Sequence, residues 1–270
     1  MAKQPINQDR NFDDLAKRFQ KNIYGGLKGA IRLAVLERDF RECFSVPPFG
    51  EQQSATPLRI LDAGGGQAQF SLNFARAGHS VVICDISAEM LKLAEQDVIA
   101  QGLESRVQLI HCAIQDLSHH LSEDTREFDV VLCHAVMEWV ANPTDLLADL
   151  MPYIKPQGFL SLTFYNLHSL IYKNLLRTNF KKIQQQDFGG ARGSLTPINP
   201  LYPEQVFEWL NKLPMNRLAT SGIRVFYDYI FNGEHRERDP QSVIELELAF
   251  SRKQPYQLLG RYIHVLSQKH

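Results

Sequence analysis

At 270 residues, with 44% hydrophobic and 22% charged side chains, the chain has the composition of an ordinary folded domain, which excludes disordered, collagen-like and disulfide-stapled classes. No run of 18 apolar residues occurs, so no transmembrane helix is expected, and the polar start from Met1 to Arg18 lacks the apolar stretch of a secretory signal. The net charge of −1 hides an asymmetry: residues 1–150 hold 14 Lys and Arg against 21 Asp and Glu, whereas residues 151–270 hold 15 against 9. By composition alone the basic half reads as a solvated face, with an anionic partner as the alternative. Cys43, Cys84, Cys112 and Cys133 form no CxxC pair, and three of them sit in apolar runs. Reduced core thiols in a cytoplasmic protein are expected, not disulfides or zinc.

In chain order, residues 12–42 place apolar side chains at helical spacing, with two helices flanking Tyr24-Gly25-Gly26. Leu58 to Asp62 is a short apolar strand running into Gly64-Gly65-Gly66, and a helix is expected from Ala68 to Ala77. Val81 to Asp85 is a second strand, and Ser87 caps the helix that follows. Val107 to Cys112 and Phe128 to Cys133 are the third and fourth strands. Phe159 to Phe164 is the fifth, entered through Lys155-Pro156-Gln157-Gly158. Residues 165–203 are basic, rich in Asn, Gln and Gly, and not strongly periodic, as an insertion would be. Gly222 to Tyr229 and Arg261 to Ser267 are expected to close the sheet. Strands alternating with helical segments predict a doubly wound, mostly parallel, seven-stranded α/β sheet of the Rossmann-like kind. The expected single domain divides into an N-terminal helical cap (8–45), a core (58–164), the insertion (165–203) and a C-terminal part completing the sheet (204–270).

Open α/β sheets bind ligands at the carboxyl ends of their strands. The first such end reads Asp62-Ala63-Gly64-Gly65-Gly66-Gln67-Ala68. Counting from Gly64 and Gly66, a dinucleotide fingerprint would place a small residue where Gln69 stands. The pattern acid-x-G-x-G-x-Ala instead resembles the first motif of class I S-adenosylmethionine (SAM) methyltransferases. Asp85, at the tip of the second strand, is placed to accept hydrogen bonds from ribose hydroxyls, with helix capping as the plainer alternative. Ala113-Ile114-Gln115-Asp116 would border the adenine, with Gln115 as a polar group facing it. His134 follows the fourth strand, and Asp62 would brace the glycine turn or meet the methionine amino group.

A more specific resemblance runs from about Asp9 to Val265. It is carried by Asp9-Arg10-Asn11-Phe12-Asp13-Asp14, Asn22-Ile23-Tyr24-Gly25, Leu61 to Gly66, His134-Ala135-Val136-Met137-Glu138-Trp139-Val140, Phe164-Tyr165-Asn166 and Gly260-Arg261-Tyr262-Ile263-His264-Val265. These blocks resemble the bacterial tRNA 5-carboxymethoxyuridine methyltransferases, which convert the carboxylate of a modified wobble uridine to its methyl ester. The resemblance implies SAM as cofactor, the tRNA anticodon stem-loop as partner, and Arg32, Gly64, Gly65, Asp85, Ile114 and His134 at SAM-binding positions. Between Asn179 and Pro200 the chain departs, with Gly189-Gly190-Ala191-Arg192-Gly193 where enterobacterial members carry a lysine run.

A carboxylate, with a reference pKa of about 4, is already ionised at neutral pH, so no general base is expected. A cationic or hydrogen-bonding clamp is required instead. Candidates are Tyr165 and Asn166 at the end of the fifth strand, then Arg192, Arg224 and Arg261, each of which taken singly reads more readily as a surface ion pair. Tyr165, Tyr172 and Phe180 among Lys173, Arg177, Lys181, Lys182 and Arg192 fit RNA stacking and an amphipathic helix equally. His111, His119 and His120 lack metal-ligand spacing, and Trp139 and Trp209 read as core packing. The competing functions are methylation of a small free acid or thioester, and a non-catalytic SAM-binding RNA-interaction protein.

Overall fold

The computed structural model of the chain describes residues 8–16, 26–44, 46–51, 56–190 and 196–270. Near-continuous apolar runs form strands buried on both faces. Strands β1 (Arg59–Ala63), β2 (Ser80–Asp85), β3 (Val107–His111), β4 (Phe128–His134) and β5 (Ile154–Tyr165) pair in parallel. At one edge β7 (Tyr262–Lys269) runs antiparallel to both β5 and β6 (Met215–Ile223). The order is β3-β2-β1-β4-β5-β7-β6, the doubly wound α/β arrangement expected from the strand–helix alternation.

Alternate strand residues face opposite layers, as the period of two demands. Leu61, Val131 and Leu160 pack against α4 (Pro143–Leu150) and α7 (Pro203–Leu210). Ile60, Ile83, Val130 and Leu132 pack against α1 (Gly26–Cys43), α2 (Leu72–Arg76) and α3 (Ala88–Ala100). Phe40 is the centre of an aromatic cluster on this second face, 5.1 Å from Phe49 and 5.4 Å from Phe70 between ring centroids. Ser87 caps α3 by accepting the N–H of Met90, as its position predicts.

Four expectations are corrected. The helix expected from Ala68 to Ala77 is regular only over Leu72–Arg76, because the chain first turns through Ala68 at φ +60°. Strand β5 begins at Ile154, not Phe159. Its entry turn is absorbed as a register shift against β4, with Gln157 at φ +63°. The segment 165–203 is not devoid of periodic structure: it carries α5 (Leu167–Leu176) and α6 (Phe180–Gln184). The strand expected at Gly222 to Tyr229 lies earlier, at Met215–Ile223. Beyond Ile223 the backbone leaves the sheet at Arg224, φ +60°. The Glu247 carboxylate on α8 (Pro240–Phe250) then accepts the N–H groups of Val225 (2.7 Å), Phe226 (3.1 Å) and Tyr227 (2.7 Å), which removes the donors a strand needs. The first half of the predicted N-terminal helix pair falls largely on residues outside those described.

Candidate active site

Strand addition reverses between β1 and β4, so the loops leaving their carboxyl ends diverge and open a cleft. It encloses about 720 Å³ and is lined by Gly64 and Gly66 after β1, Asp85 and Ile86 after β2, Ile114 and Gln115 after β3, and His134, Ala135 and Val136 after β4. Gly64 adopts φ +69°, and a Cβ there would sit 2.6 Å from Val136 Cγ2. Only glycine fits such a place. The glycine turn offers room, not donors. The N–H groups of Gly64 and Gly65 both point to the Cys84 carbonyl, at 2.8 and 3.2 Å, and that of Gly66 to Asp85 Oδ2 at 2.9 Å. The backbone N–H groups of all three glycines are therefore spent within the protein. Asp85 also accepts the Ser87 N–H at 2.7 Å through Oδ1. One lone pair on each oxygen is thus engaged, and the others remain for the cleft. Burial raises the Asp85 pKa.

A second, polar cavity of about 310 Å³ continues from the glycine turn between Arg32 on α1, Asp62, Gly64, Gly65 and His134. Asp62 is buried and accepts a 2.5 Å hydrogen bond from Ser71 Oγ. Burial pushes its carboxyl up to about 6, against the pull of Ser71 and Arg32. An ammonium placed there would favour its ionised form. A third cavity, about 330 Å³, lies between Lys28, Arg32, Ala135, Ile223, Arg224 and Tyr262. Arg32 lines both smaller cavities, and His134 with Ala135 joins all three.

Around the third cavity, cations exceed anions. Asp228, 5% exposed, faces Arg261 Nε at 3.3 Å, Arg224 Nε at 3.5 Å and Lys173 Nζ at 3.9 Å. Despite its burial, these three cations hold Asp228 down at about 2. Burial, with Arg261 nearby, pushes Lys173 down to about 8. Arg261 Nη1 is buried with no hydrogen-bond partner among the described residues, a group that an incoming anion would satisfy. Its guanidinium lies 5.1 Å from the Tyr165 ring centroid, and Tyr165 meets Tyr262 edge to face at 5.3 Å.

Arg32, Asp62, Gly64, Gly65, Asp85, Ile114, Gln115 and His134 therefore line the main or the polar cavity, and Tyr165, Arg224 and Arg261 gather beside them. Arg192 lies outside the described residues. Asn166 is corrected as a substrate group: it is fully buried, donates to the carbonyls of Leu258 (2.7 Å) and Gly260 (2.8 Å), and caps α5 through the N–H of His168. It ties the end of β5 to the 258–260 segment and is closed to a ligand.

Asp9, Arg10 and Phe12 carry no individual role in the sequence reading, yet all three line the main cleft. Asp9 accepts the Ala141 N–H, Asn11 donates to the Ile86 carbonyl, and Phe12 meets Trp139 edge to face at 4.7 Å. Trp139 is thus a cleft wall and not only core packing. The one sequence signal was the Asp9 to Asp14 block.

Glu138 was also missed. It is fully buried, and neither side-chain oxygen has a hydrogen-bond partner among the described residues. Burial pushes its carboxyl up to about 8. Between the unfolded value of about 4.3 and this one, the folded chain holds the extra proton, so stability falls as pH rises through that window. Glu138→Gln keeps the shape without the ionisation. Its melting temperature should match the parent near pH 5 and exceed it by about 3 °C or more at pH 8; calorimetry showing the same offset at both pH values opposes this.

Residues 61–162 match the family described as a methyltransferase domain. The tRNA 5-carboxymethoxyuridine methyltransferase of Escherichia coli (strain K12) is 41% identical over 263 residues, covering 97% of both chains. The mitochondrial ubiquinone biosynthesis O-methyltransferase of Schizosaccharomyces pombe is 31% identical over 159 residues, covering 58% of this chain and 54% of the relative. Among solved structures, the plantazolicin methyltransferase BpumL with a desmethyl analogue and SAH superposes with a TM-score of 0.56 at 17% identity, covering 95% and 89% of the two chains. The [4+2]-cyclase SpnF does so with 0.55 at 14% identity, over 99% of each. These structural similarities show the fold alone, since a cyclase shares it. The near full-length identity is what separates this chain from other users of the fold: it belongs to the tRNA 5-carboxymethoxyuridine methyltransferase family, on a class I SAM methyltransferase fold.

Proposed function

We propose that the chain uses SAM to methylate the carboxylate of 5-carboxymethoxyuridine at the tRNA wobble position, forming the methyl ester. Beyond family membership, the observation that carries this reading is the cationic third cavity, which meets the main cleft at Ala135. SAM, when bound, supplies an electrophilic methyl group on a sulfonium. Asp85 would accept from the ribose hydroxyls, and Ile86, Ile114 and Gln115 would border the adenine. Asp62 would hold the amino group of the methionine end and Arg32 its carboxylate. Arg224 and Arg261 would clamp the substrate carboxylate and aim it, with Tyr165 as the floor under the Arg261 guanidinium. The nucleophile is ionised beforehand, so these groups position and exclude water and need not remove a proton.

The tRNA anticodon stem-loop would lie across the face made by α5, α6 and residues 228–238. Phe231 is 82% exposed there and Phe180 54%, beside Tyr172. Lys173, Arg177 and Arg236 surround a surface pocket with Tyr229 and Phe231, and Lys181 and Lys182 adjoin on α6. Exposed rings beside cations suit splayed bases and phosphates. Among the described residues no helix is long and apolar enough to cross a membrane; the proposed place of work is the cytoplasm, with its tRNA.

Transfer of labelled methyl to two tRNA pools, with and without the carboxymethoxy group, tests the reading. Only the modified pool should accept label, at least a hundredfold faster, and the product nucleoside should be the ester. Binding to tRNA should weaken as salt rises, because phosphate contacts release counterions. Equal labelling of both pools, or faster labelling of a small free acid, would hand the assignment to the alternative substrate class.

A further inference from the structure

A buried chain of polar groups crosses the sheet and ends on His134. Asp39 on α1, Ser161 on β5 and His264 on β7 are all fully buried. Asp39 Oδ2 lies 2.7 Å from His264 Nδ1, His264 Nε2 lies 2.9 Å from Ser161 Oγ, and Ser161 Oγ lies 2.7 Å from His134 Nε2. At the far end, Asp39 Oδ1 accepts from Arg38 (2.7 Å) and Arg252 (2.6 Å), and Arg252 also pairs with Glu42. At the near end, His134 lines both the main cleft and the polar cavity, and its Nδ1 has no hydrogen-bond partner among the described residues. Three residues beyond the site are thus spent on orienting one ring.

The donor direction follows from the charges. His264, the guanidinium groups and Ser221 hold Asp39 ionised against the cost of its burial, so it can only accept. His264 Nδ1 therefore carries a proton. Arg38 and Arg252 already balance Asp39 and Glu42, and with Nδ1–H spent on Asp39 the ring offers its Nε2 lone pair to Ser161. His264 Nε2 then accepts from the Ser161 hydroxyl, and Ser161 Oγ accepts from His134 Nε2–H. The last member is left with a bare nitrogen toward the cleft. Burial keeps the His134 ring neutral, aided by the Arg32 guanidinium from α1, with Asp62 from β1 lining the same cavity.

We propose that Asp39, His264 and Ser161 are positioning residues that fix His134 as the tautomer protonated on Nε2, so that Nδ1 presents a lone pair where the sulfonium of SAM lies. His134 and Gly64 are shared by the nucleoside cleft and the methionine-end cavity, and in SAM the sulfur joins those two parts. The lone pair favours a cation at that point, and an N–H there would oppose it. The relay thereby contributes to preference for charged SAM over its neutral product S-adenosylhomocysteine (SAH). This rests on the SAM reading of the cleft.

The test reads the ring directly. In the full chain labelled with ¹⁵N-histidine, with the His134 signals assigned by their loss in His134→Gln, Nδ1 should be unprotonated and Nε2 protonated at neutral pH. A proton on Nδ1 overturns the proposal whatever the cleft binds. Calorimetry then compares ligands. Ser161→Ala should raise the Kd for SAM about tenfold and that for SAH less than threefold, with the His134 signals becoming a tautomer mixture. Ser161→Thr, which keeps a hydroxyl, should recover the SAM preference. Equal losses for both ligands in Ser161→Ala would mark the chain as structural only and refute the relay. Failure of the parent to bind either ligand would bring down the SAM reading itself, and the proposal with it.

Discussion

Asp85→Ala should bind SAM at least a hundredfold more weakly than the parent, about 2.8 kcal/mol at 1.4 kcal/mol per factor of ten. The carboxylate lines the cleft and is proposed to accept from two ribose hydroxyls, and hydrogen bonds to a charged acceptor contribute about 1.5–3 kcal/mol each. The same side chain also accepts the N–H groups of Gly66 and Ser87, so alanine loosens the glycine turn as well. Asp85→Asn separates the two contributions. It keeps one acceptor oxygen but faces the other hydroxyl with a donor, and should lose about tenfold. Titration calorimetry on protein of parental helical content decides the matter: an unchanged Kd for Asp85→Ala would remove Asp85 from the cofactor site.

The second large effect is expected at Arg224. Arg224→Lys retains a positive charge but not the planar fork, and Arg224→Met removes both. With modified tRNA at saturation, turnover should fall roughly a hundredfold in Arg224→Met, the size of loss seen when a preorganised donor is removed from a reacting centre. Arg224→Lys should fall between this and the parent. The Kd for SAM should stay within about twofold, because the methionine end is assigned to Arg32 and Asp62. Arg224 also faces Asp228, so removal leaves that buried carboxylate to Arg261 and Lys173, and a melting temperature must accompany each rate. A folded Arg224→Met with parental turnover and KM would refute the clamp.

The parallel core was readable because its signals are local. An apolar run ending in Asp62 and three glycines, a second run ending in Asp85 and a third leading to Ile114 are patterns within a few residues of chain. Burial on both faces needs nothing more than uninterrupted hydrophobicity. Gly64, Asp85 and His134 could be placed for the same reason, since strand ends in such a sheet all meet at one rim. What decided the rest lies between residues far apart in the chain. Strand β6, polar and half exposed at the sheet edge, has no alternating pattern to betray it, and its end is set by a carboxylate 22 residues away on α8. Asn166 looked like a ligand group beside Tyr165, but its amide is taken by carbonyls 92 and 94 residues on. Lys173, Arg224 and Arg261 become a cluster only because Asp228 sits among them, and Asp39 meets His264 across 225 residues. A buried charge must find its partner to be tolerated, yet the partner's address leaves no period in the sequence. Composition and spacing therefore determined the sheet and the cofactor rim, and only the tertiary structure chose which polar side chains face the cleft and which are spent holding it in place.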